Sequence, residues 1–292
     1  MNHLNRNYDI CTNFQKMTLD QHTIIIAFIL TMIAGLSTGI GSLIALMAKR
    51  TNRKFLCASL GFSAGVMLYV SFMDMLPSAK EDLIHHLGMQ MGTLSLILAF
   101  FGGIGIITLI DLLIPKTNNP HEAQSVEDMG KLDSSTVLTN HNKQLHRTGI
   151  VVALTLSIHN FPEGIATFTS ALNGLSVAIP ITFAIAIHNI PEGIAVSVPI
   201  YHATGNKRKA FWMSFLSGLT EPLGAVIAYL FLAPFWSPTI HGIVLAAVAG
   251  IMVYISLDEL LPTAEKFGEH HISISGLIVG MIVMALSLFL FI

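Results

Sequence analysis

Residues 159–166 read HNFPEGIA, and residues 188–195 read HNIPEGIA. Seven of the eight positions are identical, at an offset of 29. Each copy sets a histidine, an asparagine and a glutamate into an otherwise apolar run, with a proline just before the glutamate. Ionisable side chains at membrane depth are costly and usually functional. The meaning of the doubled motif therefore depends on whether the runs around it can cross a bilayer.

The composition says that they can. Of 292 residues, 53% are hydrophobic and 11% charged, where a soluble domain carries about 25% charged residues. Mean hydropathy is +0.68. These values exclude an ordinary cytosolic enzyme and a disordered chain. With 15 Lys+Arg against 17 Asp+Glu, there is no basic excess for nucleic acid. Two cysteines, Cys11 and Cys57, cannot build a disulfide framework or a Cys-rich metal site. A spanning helix needs about 20 mainly apolar residues. Eight stretches qualify, roughly 24–48, 55–77, 93–114, 149–171, 176–200, 210–234, 240–262 and 272–292. The expectation is an all-α membrane protein with eight transmembrane helices. The first stretch is too long for a signal peptide and lacks a small-residue cleavage pattern, so it reads as a true span. Residues 1–21 form a polar tail and 22–292 one transmembrane domain. Residues 115–148 form the single long loop, which holds His121, His141 and His146.

Basic residues fix the orientation. Arg6, Lys16 and Lys80 fall on one side; the other twelve fall on the opposite side. Positive residues prefer the cytoplasm, so both termini are expected outside, with Cys11 and Cys57 on opposite faces.

Two further duplications accompany the first. GVMLYVSFMDMLPSA (65–79) pairs with GIMVYISLDELLPTA (250–264) at an offset of 185, and GLSTGIGSLIAL (35–46) pairs with GLTEPLGAVIAY (218–229) at 183. Spans one to three thus match spans six to eight, displaced by five spans. An odd displacement makes matching helices antiparallel, and spans four and five are likewise inverted copies. Inverted repeats are the pattern of secondary transporters, whose substrate site lies near the midplane at the repeat interface.

The motif suits a divalent cation. At about 100° per residue, a carboxylate at 163 projects between His159 and Asn160. It can share one cation with the imidazole and another with the amide. The second copy repeats this with His188, Asn189 and Glu192. Two facing helices give one pocket of two His and two Glu, and an adjoining pocket of two Asn and the same two Glu, with Glu221 as an added ligand. Pro162 and Pro191 cannot donate to the carbonyls of Ile158 and Ile187, which predicts a kink in each helix. No Lys or Arg lies mid-span to balance the carboxylates, and unpaired buried charge is expensive. A divalent cation supplies the balance. Imidazole, carboxylate and amide oxygen suit Zn²⁺, Fe²⁺, Mn²⁺, Co²⁺ or Cd²⁺, and the lack of thiolate argues against Cu(I).

Two other functions compete with cation import. An intramembrane metal-dependent hydrolase would need an open coordination position and a general base; no H-E-x-x-H occurs. A proton-coupled anion carrier would need a mid-span Arg or Lys.

HNFPEGIA and HNIPEGIA, eight spans and a variable loop after the third resemble the ZIP (Zrt/Irt-like protein) divalent-metal transporters, closest to their short bacterial zinc-uptake branch. The resemblance covers nearly all of residues 22–292. It implies a three-plus-two-plus-three helix arrangement, a cell-membrane (bacterial inner-membrane) location, inward transport, a homodimer and no resident cofactor. It implies that spans one, four, five and six move as a block. It also implies a binuclear centre in spans four and five. His159, Glu163, His188 and Glu192 would form the first position, with Met67 approaching it. Asn160, Glu163, Asn189, Glu192 and Glu221 would form the second. Some relatives carry Asp where Asn189 stands, which would make the second position weaker here. Asp74, Asp258 and Glu259 are expected near span ends as caps or interface groups. His85-His86 and His270-His271 are expected to be solvated.

Overall fold

The computed structural model describes residues 21–47, 53–113, 157–158, 160–267 and 269–290. The N-terminal tail, the long loop, the start of the fourth span and His159 lie outside the described residues. Among the described residues the chain is helical throughout, without strands. The helices are α1 (Gln21–Met47), α2 (Arg53–Val70), α3 (Leu76–Leu87), α4 (Met89–Leu113), α5 (160–173), α6 (Leu175–Thr204), α7 (Lys207–Gly218), α8 (Thr220–Ile227), α9 (Pro238–Ile255), α10 (Leu261–Phe267) and α11 (His270–Leu290). Several are segments of one rod, so that seven rods among the described residues are long and apolar enough to cross a membrane. The remaining predicted span, the fourth, carries α5.

The second and sixth of these rods run further than the sequence suggests. The predicted ends at Pro77 and Pro262 lie inside rods that reach Leu87 and Glu265. A proline lacks the N–H that an α-helix needs and its ring crowds the carbonyl four residues back. Here a π turn relieves both problems. Ser71–Met75, Ala228–Leu232 and Ser256–Leu260 are π-helical, and each begins six residues before Pro77, Pro234 or Pro262. The residue just before each proline reaches back five positions: Leu76 N–H to the Ser71 carbonyl, Ala233 to Ala228, Leu261 to Ser256. The widened turn makes room for the ring and the helix continues. The first and third π turns are matched copies at offset 185. Asp74, Asp258 and Glu259 sit within these turns, well inside the rods and not at their ends. Pro191 is handled differently, because α6 passes through it as one α-helix of 30 residues.

The rods sort into two groups by their contacts. In the first, α1 packs on α6, α7 and α8. Helix α5 joins it where Phe168 and Ala171 meet Ala27 of α1 and Ala225 of α8. In the second, α2 packs on α11 and α10, while α9 packs on α4 and α3. The two groups meet chiefly where α2 lies against α6. Met67, Ile185 and Met252 are fully buried in the core around that junction. Helix α6 is central: 78% of its most apolar window is buried in protein, against 11% for α4, which faces outward. Glycines close the short connections around it. Gly174 (φ 129) and Gly205 (φ 63) take left-handed backbone conformations open to few other residues.

Candidate metal centre

The centre is built on a crossing of two glycines. Gly35 of α1 and Gly218 of α7 meet backbone to backbone, and a Cβ on either would collide with the carbonyl oxygen of the other. These two residues are partners at offset 183 in the sequence repeat. Neighbouring contacts obey the same relation. A Cβ on Gly41 would collide with the Ile190 carbonyl, and one on Gly224 with the Phe161 carbonyl. A Cβ on Gly193 would strike the Thr38 carbonyl, and one on Gly164 the Glu221 carbonyl. Each pair becomes the other when α1 is exchanged for α8 and α5 for α6. Small residues at these positions let the four backbones close in, as expected where helices associate in lipid.

The asparagines repeat the symmetry in hydrogen bonds. Asn160 Nδ2 donates to the Ser217 carbonyl at 3.2 Å, and Asn189 Nδ2 donates to the Ala34 carbonyl at 3.1 Å. The same two carbonyls also accept from Thr220 Oγ1 at 2.6 Å and from Ser37 Oγ at 2.5 Å. Asn189 Nδ2 donates further to Glu221 Oε1. Each amide is thus held by its nitrogen. Its oxygen, Asn160 Oδ1 or Asn189 Oδ1, is buried and accepts no hydrogen bond, and neither does Glu221 Oε2. Buried polar atoms are nearly always satisfied. Three buried oxygens around one crossing are thus left without a donor.

On the adjoining side, His188 Nε2 lies 2.8 Å from Glu163 Oε1 and joins α6 to α5. Asn160, Glu163, His188, Asn189, Glu192 and Glu221 are all fully buried. Neither α5 nor α6 carries a Lys or Arg. Backbone support is local: Ser63 Oγ of α2 donates to the His188 carbonyl at 3.2 Å and Ser214 Oγ of α7 to the Gly193 carbonyl at 3.1 Å. Among the described residues, no group of three His, Cys, Asp or Glu side chains is drawn together as a ready-made metal set. His159 falls outside that search. Met67 is fully buried in the α2–α6 core. The paired surface histidines stay exposed, with His86 Nδ1 at 2.9 Å from the Asp82 carbonyl and His270 Nδ1 at 2.6 Å from Glu265.

A ZIP Zinc transporter family model matches residues 21–288, nearly the whole described chain and all of this geometry. The chain belongs to that family. It is similar to the zinc transporter ZupT of Clostridium perfringens, with 57% identity over 94% of this chain and 98% of the relative. It is also similar to the ZupT of Streptococcus mutans, with 55% identity over 94% of this chain and 100% of the relative.

One polar cluster of this ZIP chain was not visible in its sequence. His241, buried at the start of α9, has Nδ1 at 2.6 Å from Asp82 Oδ2 of α3 and at 3.0 Å from Asn173 Nδ2 at the end of α5. The Trp236 ring stands edge-on to the imidazole, 5.6 Å between centroids. The repeat gave no signal here, since residues 185 positions away from Asp82 and His241 are Phe267 and Leu56.

Proposed function

We propose that this ZIP chain imports divalent metal cations, zinc foremost, across the cell membrane through a binuclear centre between α5 and α6. The observation that carries the reading is the buried set of Asn160, Glu163, His188, Asn189, Glu192 and Glu221, gathered where two pairs of helices cross by symmetry. Buried carboxylates on helices that carry no Lys or Arg call for a cationic guest. In the first position His159, Glu163, His188 and Glu192 hold the ion, with Met67 beside it. In the second, Asn160, Glu163, Asn189, Glu192 and Glu221 hold it through oxygen. Amides pinned by their nitrogens present their oxygens without further reorganisation, which replaces the water stripped from the ion.

The three-plus-two-plus-three arrangement is supported by glycine contacts that repeat at the sequence offsets and by matched π turns at Pro77 and Pro262. Separate packing of α1, α5, α6, α7 and α8 supports their motion as one block. The distribution of Lys and Arg supports both termini outside the cell membrane. Assembly as a homodimer is part of the same reading. The transported ions include Fe²⁺, Mn²⁺, Co²⁺ and Cd²⁺, whose ligand preferences overlap this donor set. An intramembrane hydrolase is the weaker reading, because a doubled symmetric site has no obvious place for a lone general base.

The test is flux. The protein reconstituted into liposomes takes up ⁶⁵Zn²⁺, and Glu163→Gln abolishes uptake while the protein stays folded. Wild-type vesicles that do not accumulate the ion, or a Glu163→Gln variant that transports at the normal rate, would reject the reading.

A further inference from the structure

The symmetry of the centre has one chemical exception. Glu221 of α8 is matched at offset 183 by Thr38 of α1. Their backbones occupy equivalent places: the Glu221 carbonyl lies on Gly164 and the Thr38 carbonyl on Gly193. The side chain of Thr38 is located by Gly218, where an added Cβ would meet Thr38 Cβ at 2.8 Å and Thr38 Oγ1 at 2.9 Å. The hydroxyl therefore lies beside Gly218, next in the chain to Ser217, whose carbonyl anchors Asn160. Asn189 stands between Ala34 and Glu221. Asn160 is held at Ser217, and the repeat relation assigns Thr38 the place opposite it that Glu221 takes for Asn189.

The hydroxyl has been released from its ordinary partner. Thr31 donates to the carbonyl of Ala27 at 2.8 Å and Thr169 to that of Ile165 at 2.7 Å, each four residues back, whereas Thr38, Thr167 and Thr182 make no such bond. For Thr38 that carbonyl is Ala34, which is already taken by Ser37 and Asn189. Thr38 Oγ1 is fully buried and makes no hydrogen bond. Asn160 Oδ1 makes none either.

We propose that the Thr38 hydroxyl is an oxygen donor of the second cation position, the uncharged counterpart of Glu221, and biases that position toward six-coordinate, oxygen-preferring cations such as Mn²⁺. This rests on the assignment of the second position made above. With Thr38 the position has six residues offering oxygen: Thr38, Asn160, Glu163, Asn189, Glu192 and Glu221. Six oxygens match the octahedral preference of Mn²⁺, whereas Zn²⁺ favours four ligands with nitrogen or sulfur among them. The first position, with its imidazoles, keeps its zinc chemistry without Thr38.

The experiment compares initial uptake of ⁵⁴Mn²⁺ and ⁶⁵Zn²⁺ into liposomes for the full chain, Thr38→Val, which keeps the shape, and Thr38→Ser, which keeps the hydroxyl. Thr38→Val is expected to raise the KM for Mn²⁺ about tenfold while the KM for Zn²⁺ moves by less than about twofold, and Thr38→Ser to behave as wild type. An unchanged Mn²⁺-to-Zn²⁺ ratio in Thr38→Val overturns the inference, as does a Thr38→Ser variant as impaired as Thr38→Val. If Thr38→Val does not fold, Thr38→Ala is read in the same way. Wild-type vesicles that move neither ion reject the transport reading itself. Wild-type flux of both ions with an unaltered Thr38→Val ratio rejects only the role of Thr38.

Discussion

Gly35 and Gly218 touch through their backbones, and each excludes a side chain on the other. Because they are partners in the sequence repeat, this contact lies on the axis about which the two halves of the centre are related. The crossing sets how near Ala34 and Ser217 come to Asn189 and Asn160, and so sets the position of both amide oxygens.

Gly218→Ala is expected to destabilise the protein by about 1–3 kcal/mol, the ordinary cost of overpacking a filled interior. Gly102, where a Cβ would meet nothing within 4 Å, is the control. Gly102→Ala should be neutral within about 0.5 kcal/mol. Thermal melting in detergent measures both, and equal melting points for the two variants would contradict the packing described for the crossing.

Asn189→Asp should act in opposite directions with and without metal. Without a cation, a new carboxylate at Asn189 faces Glu221, which currently accepts a hydrogen bond from the Asn189 amide. The melting point of the metal-free protein should fall. With Zn²⁺ the added charge should tighten binding by about tenfold, about 1.4 kcal/mol, so that the metal-induced rise in melting point grows. A smaller rise than in the wild type would count against cation binding by these side chains.

Acid should weaken cation binding and uptake. Carboxylate and imidazole ligands must be deprotonated to bind, so each proton displaced by the metal lowers affinity about tenfold per unit fall in pH. The sign is fixed: stronger at neutral pH, lost on acidification. Zn²⁺ titrations between neutral and mildly acidic pH would reveal it, and a flat profile would exclude ionisable ligands.

Asp82 and His241 should behave as one unit. Asp82→Asn alone leaves the buried imidazole of His241 without its carboxylate and is expected to cost about 1–3 kcal/mol. His241→Leu copies the residue found at the matching repeat position, Leu56. Combined with Asp82→Asn, it should cost less than the sum of the single changes. Strict additivity in melting experiments would show that the 2.6 Å contact carries no coupling.

The sequence made the helices and the doubled motif legible because both depend on local pattern: apolar length for the spans, and identity at a fixed offset for the motif. Gly164 and Gly193 could be singled out for the same reason, and Glu221 as a carboxylate within an apolar span. Other features depend on partners that no spacing reveals. The motif marks Asn160 and Asn189 as polar residues within a membrane. That their nitrogens are tied to the Ser217 and Ala34 carbonyls requires knowing which backbones cross. His241 and Asp82 lie 159 residues apart and meet only through packing of α9 on α3. The rods run past the apolar stretches that end at Pro77 and Pro262 because a π turn before each proline lets the helix continue, which apolar length does not reveal.

That wider turn also decides who neighbours whom. A π turn adds one residue to the coil and rotates everything beyond it by about 100°. Gly61 and Gly65, before the turn, lie against α11, while Ala79 and Leu83, after it, lie against Gly242 of α9. In the matching rod Gly250 lies against α4, and α10, past the turn, lies against α2. A single membrane rod thereby presents differently phased stripes to two partners, and the two π-turned rods of this group grip each other twice, while α11 packs on α2 and α4 on α9. Deleting one residue at either turn would re-phase the outer segment and unseat it from its second partner, leaving the inner grip intact.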